Sequence, residues 1–267
     1  TKHENVAYAS FFNPPQHIEW KGEDGATVYG ILYLPKNKAA ENLPLLVDVH
    51  GGPTMQRTLS ESAEAGFFTS RGYAFFQVNY RGSSGYGFRY QDALKGKWGE
   101  LEVIDIYTGV NHLIQKGIAD VARIALMGNS SGGTTVLNAL RKYPGKFRCA
   151  ICSYAIGDLI QDAEQTHKFE RYYHQYLIGD LEKDRDIFQQ RSPLFHVDEI
   201  QEPLLLFHGS EDAVVPPMQS QALYDSLVKR GIPCTLKIFE NEGHGFKRED
   251  TLREYYVLIV NFLERYL

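Results

Sequence analysis

The chain has 267 residues, of which 43% are hydrophobic and 23% charged, with a formal net charge of -5 at pH 7. That balance suits a globular protein with a substantial core and argues against a nucleic-acid groove, which needs a positive field. No apolar run approaches the roughly 20 residues that span a bilayer, and the opening residues do not read as a signal peptide. In chain order, the segments "HIEWKG" (17–22) and "TVYGILYLP" (27–35) alternate apolar and polar residues and predict an antiparallel opening pair of strands. "LPLLVDVHG", "GYAFFQVNY", "ARIALMG", "FRCAICSYA", "PLLLFHG" and "CTLKIFE" follow as further strands. Those from Leu43 to Phe207 are nearly continuous in apolar residues, as strands covered on both faces should be.

Segments of helical period separate these strands: Leu59–Ser70, Val103–Gln115, Thr134–Lys142, Met218–Arg230 and Leu252–Tyr266. Strands alternating with helices imply right-handed crossovers and a mostly parallel sheet, here of eight strands with helices on both faces. Residues 1–267 read as one α/β domain. One stretch breaks the rhythm: 154–193 has no strand, is dense in aromatic and charged residues, and predicts either a surface helix pair or a lid over the sheet's C-terminal edge. Cys149 and Cys152 form a C-x-x-C. On a strand, residues three apart face opposite ways, so these thiols are poorly placed to share a metal or a disulfide. With Cys234 they suit a reducing compartment, and a cytoplasmic location is expected.

The stretch "MGNSSGGTT" lies between a strand and a helix and contains two adjacent serines. In G-x-S-x-G the serine occupies a strained strand-to-helix turn whose flanking positions pack closely. Centring on Ser130 places Gly128 and Gly132 at those positions, whereas Ser131 would put Asn129 where glycine is wanted. Ser130 is the candidate nucleophile, with the Ser131 N–H at a helix start where an oxyanion would form. "VHGGP" ends the third strand and offers the Gly52 N–H as second oxyanion donor. "HGSEDAVVP" offers Asp212 as orienting carboxylate, and "ENEGHGF" offers His244 as general base. The order Ser, Asp, His is that of the α/β-hydrolase fold. His50 and His208 suit structural hydrogen bonds, Glu211 points to solvent, and His167 and His174 lack partners at metal-ligand spacing. No metal, phosphate-loop or dinucleotide motif is present, and no cofactor is expected.

"VHGGP", "NYRGSSGYG", "KWGELEVID", "GNSSGG", "RSPLFH", "LFHGSEDAVVPPMQ" and "ENEGHGF" together resemble the prolyl oligopeptidase family of serine peptidases, on its acylaminoacyl peptidase and dipeptidyl-peptidase-like branch. The resemblance runs from about Gln16 to the end. It implies Ser130, Asp212 and His244 as triad, Gly52 and Ser131 N–H groups as oxyanion hole, and Ile156, Leu159 and Val215 as walls of a substrate pocket. It also implies that residues 1–15 are a linker from an N-terminal β-propeller, or that the chain is a single-domain relative, with a homo-oligomer as a further possibility. The substrate so implied is a short or N-acylated peptide, and the competing expectation is an esterase or amidase for a small acyl substrate. Phe169, Tyr172 and Tyr173 would add aromatic character to the pocket. Asp158 or Glu170 facing it would favour a cationic group instead.

Overall fold

A computed structural model describes residues 13–36, 38–165 and 171–267. Eight strands form one sheet: β1 (Gln16–Lys21), β2 (Thr27–Tyr33), β3 (Leu43–Val49), β4 (Ala74–Asn79), β5 (Ala119–Asn129), β6 (Cys149–Ser153), β7 (Leu204–Gly209) and β8 (Cys234–Phe239), in the spatial order β1-β2-β4-β3-β5-β6-β7-β8. β2 runs antiparallel to both β1 and β4, and from β4 to β8 every neighbouring pair is parallel. The sheet is therefore mixed at one edge and parallel elsewhere. All eight expected strands are present.

The side-chain period of two divides the core into two layers. Along β5, Ile124 and Leu126 join one apolar layer, while Ala125 and Met127 join the other. β7 does the same with Leu204 and Leu206 against Leu205 and Phe207. The first layer is covered by α3 (Leu101–Gln115), α4 (Ser131–Lys142) and α8 (Met218–Lys229); the second by α1 (Ala63–Thr69) and α9 (Glu249–Tyr266). Cys149 and Cys152 fall in opposite layers and are free thiols, as strand geometry requires.

The helices differ from expectation mainly at their starts. α1 begins at Ala63, where the Ser62 hydroxyl accepts the Ala65 N–H at 3.1 Å, four residues after the expected start. α3 and α9 begin earlier than their apolar periodicity, and a short helix, α2 (Phe88–Asp92), was not anticipated. α4 starts at Ser131 rather than Thr134, because two glycines that look like a loop are its first turn.

Between β6 and β7 lie α5 (Leu159–Gln165), α6 (Arg171–Leu177), α7 (Arg185–Arg191) and a 3-10 segment, Pro193–Glu199. This is the expected insertion, and it reaches the sheet's C-terminal edge: the Tyr173 hydroxyl lies 2.7 Å from the Thr54 hydroxyl in the loop after β3. Among the described residues no helix is long and apolar enough to cross a membrane.

Candidate active site

β5 ends at Asn129 and α4 starts at Ser131, so Ser130 alone turns the chain. Its φ of 53° and ψ of -130° place a non-glycine residue in a sparsely populated region, a strain of about 1–3 kcal/mol that surroundings must hold. Its N–H donates to Ser153 O at 2.9 Å, and its carbonyl accepts from Gly133 N at 2.9 Å and Thr134 N at 3.2 Å. The flanking glycines are required by contact. A Cβ on Gly128 would lie 2.5 Å from Gly132 O, and one on Gly132 would lie 2.2 Å from Val49 O. The turn is thus clamped between its own helix and the end of β3.

The loop after β3 presses on this turn. A Cβ on Gly51 would lie 3.3 Å from Ser130 Cβ. Gly52 has φ of +120°, a conformation for glycine, and a Cβ there would meet Met55 N at 2.8 Å. Among the described residues no carbonyl accepts the Gly52 N–H. The Ser131 N–H, at the first position of α4, has no acceptor within the helix. Ser131 Oγ is buried and without a partner among the described residues, so this side chain faces away from solvent.

Asp212 is buried at the turn after β7 while Glu211 is exposed. Its Oδ1 accepts the Val214 and Val215 N–H groups, both at 2.9 Å, and its Oδ2 lies 2.8 Å from His244 Nδ1. Burial pushes the carboxyl pKa up, but hydrogen bonds from His208, His244 and the Val215 N–H outweigh it, leaving it well below the ordinary 3.8. An ionised carboxylate only accepts, so His244 Nδ1 carries the proton and Nε2 keeps a free lone pair. The turn bearing His244 is fixed by Glu242, buried at 3% exposure, whose carboxylate accepts Lys247 N at 3.0 Å and Arg248 N at 2.9 Å.

The structure brings Asp212 and His244 together, as expected from sequence. His208 is more closely involved than a remote structural role implies. Its Nε2 donates to Val215 O at 2.8 Å and lies 3.4 Å from Asp212 Oδ2, while Nδ1 accepts from the Ser220 hydroxyl at 2.7 Å. His50 is structural: its ring bonds Gly51 O and Ser83 Oγ, both at 2.8 Å, and burial lowers its pKa to about 4. Ile156, Leu159 and Val215 are 6%, 1% and 2% exposed, all within the first apolar layer, so only their edges could meet a substrate.

Asp158 is committed elsewhere, because its Oδ1 caps α5 by accepting Ile160 N at 2.9 Å and Gln161 N at 3.1 Å. Tyr172 is exposed, and Phe169, Glu170 and His167 lie outside the described residues. One expectation is corrected: His174 of α6 has a carboxylate partner, Asp162 of α5, with Nε2 to Oδ2 at 2.7 Å. Among the described residues no three metal-binding side chains are grouped. Sequence reasoning missed Tyr154, whose ring lies 4.6 Å from that of His244; no motif marks it.

Comparison with known proteins follows the same lines. The model described as "Prolyl oligopeptidase family" matches residues 59–267, and one described as acetyl xylan esterase matches residues 8–99. Dipeptidyl peptidase family member 6 of Caenorhabditis elegans is 33% identical over 229 residues, 84% of this chain and 31% of that protein. The acylamino-acid-releasing enzyme of Arabidopsis thaliana is 31% identical over 88% of this chain and 32% of its own length. A puromycin-hydrolyzing peptidase of Mycobacterium tuberculosis superposes with a TM-score of 0.93 at 36% identity, over 100% of this chain and 41% of that one. The chain thus spans about a third of the length of these curated relatives.

Proposed function

Because this chain belongs to the prolyl oligopeptidase family, we propose that it cleaves peptide bonds of short or N-acylated peptides through an acyl-enzyme on Ser130. The observation that carries this reading is the strained Ser130 turn, held at φ of 53° between glycines that admit no Cβ. Such strain persists where function needs an exposed nucleophile. In the proposed reaction His244 Nε2 takes the Ser130 proton as Oγ attacks the acyl carbon, and Asp212 holds the imidazole tautomer and stabilises the imidazolium. The Gly52 and Ser131 N–H groups receive the oxyanion, each donor being worth roughly 2.7–4 kcal/mol in comparable sites. His244 then protonates the leaving amine, and a water activated by the same base releases the acid.

Ile156, Leu159 and Val215 are proposed to border the pocket for the acyl residue. Three free cysteines fit a cytoplasmic setting. The same machinery hydrolyses esters, and the acetyl xylan esterase match over 8–99 favours that second reading. A panel of N-acyl-aminoacyl nitroanilides, free aminoacyl nitroanilides and simple nitrophenyl esters tests the choice. Turnover of acylated amides supports the peptidase, while turnover confined to esters rejects it.

A further inference from the structure

Tyr154 is the first residue past β6 and has φ of 41°, in the left-handed region. A bulky aromatic there is an outlier, and a turn that merely needed this backbone would be served better by Gly or Asn. Its surroundings show what holds it. Its N–H donates to Phe207 O at 2.7 Å. Its ring lies 4.6 Å from the His244 imidazole, tilted by 56°, and 5.6 Å from Phe246, edge-on. Burial pushes its phenol pKa up, and the side chain of Asn129, the residue before Ser130, lies near enough to the hydroxyl to oppose that shift. One side chain thus spans from the turn after β5 to the loop after β8.

We infer that Tyr154 is a positioning residue for His244, and that its backbone strain is retained because only this conformation lays the ring against the imidazole. The inference rests on the proposed triad. The Asp212 bond fixes one end of the His244 ring but leaves rotation about the Nδ1···Oδ2 line. The Tyr154 ring restricts that rotation and keeps Nε2 directed toward Ser130, while the bond from its N–H to Phe207 O holds the brace to the sheet. Locked rotamers of this kind are what keep a catalytic group within its productive geometry.

Two variants separate this from a turn role, with thermal midpoint, kcat, KM and the rate of Ser130 phosphonylation by a fluorophosphonate as readouts. Tyr154→Asn relieves the backbone strain and removes the ring. It should keep or raise the midpoint while lowering kcat and the phosphonylation rate by about 10- to 100-fold, with KM little changed. Tyr154→Phe keeps the ring and should stay within about threefold of the parent in both rates. A Tyr154→Asn protein with parental kcat overturns the inference. So does a loss of kcat that tracks a fallen midpoint and is not rescued by Phe. A parent protein inert toward both fluorophosphonate and substrates would instead remove the triad reading itself.

Discussion

Replacing Gly132 by Ala puts a methyl group into the contact that sets the turn at Ser130, the proposed nucleophile. The new Cβ would lie 2.2 Å from Val49 O and 2.7 Å from His50 O, both backbone atoms that cannot swing aside. An ordinary contact is longer by roughly 1 Å, so the end of β3 and the turn must part by about that amount. Gly132 lies in the first turn of α4, where Ala is the better helix former by about 1 kcal/mol. Overpacking opposes this with about 1–3 kcal/mol, and backbone neighbours place the cost at the upper end. A net loss of about 1–2 kcal/mol lowers the thermal midpoint by roughly 5 °C in a chain of this size. The segment that moves carries Gly52, the proposed oxyanion donor, and a shift of about 1 Å in such a donor costs about 10²-fold in kcat/KM. Nitrophenyl ester hydrolysis and thermal unfolding measure both effects. A Gly132→Ala protein that is fully active and more stable, as helix propensity alone demands, would refute the reasoning.

Glu102 is fully buried, and burial raises its pKa from 4.5 to about 7. The folded state keeps the proton while the unfolded chain ionises, so stability falls as pH rises from 4.5 to about 7 and stays low above. Glu102→Gln should therefore leave urea stability near pH ~4 unchanged and raise it by up to about 3 kcal/mol near pH ~8; an equal effect at both pH values contradicts the buried neutral acid. Asp212→Asn should lower kcat by about 10⁴-fold through the wrong His244 tautomer, while Glu211→Gln should change it little. The reverse ranking would move the orienting carboxylate by one residue. Nitroanilides with Phe, Leu or Ala donating the scissile carbonyl should exceed Asp or Lys in kcat/KM by about 10- to 100-fold, since burying a charge there costs more than burying an apolar group gains. A Lys substrate that wins would reject an apolar pocket.

The strands were legible because both layers of the core repeat with period two, and long apolar runs mark strands buried on both faces. Ser130 was legible because glycine spacing reports close packing: Gly128 and Gly132 touch each other and β3. The start of α4 was not, since the glycines that permit that packing also look like a loop. The first residues of β5 were missed for another reason: Ala119 pairs with Leu43 across an irregularity in register, which only the neighbouring strand creates. His174 and Asp162 are twelve residues apart and meet through the fold of the insertion. Tyr154 is the sharpest case. Its position past β6 predicts an ordinary strand end, while its neighbours are Asn129 at the end of the adjacent strand β5 and His244 in the loop after β8, two strands away on the other side.

The most direct test of the account is the site of covalent labelling by a fluorophosphonate, read by mass spectrometry of the digested protein. The account predicts a single adduct on Ser130, lost in Ser130→Ala together with hydrolysis, a fall of about 10⁶-fold in kcat. It also predicts an adduct retained in Ser131→Ala, whose hydroxyl is buried and inaccessible to the reagent. An adduct on Ser131, or undiminished hydrolysis by Ser130→Ala, would contradict it.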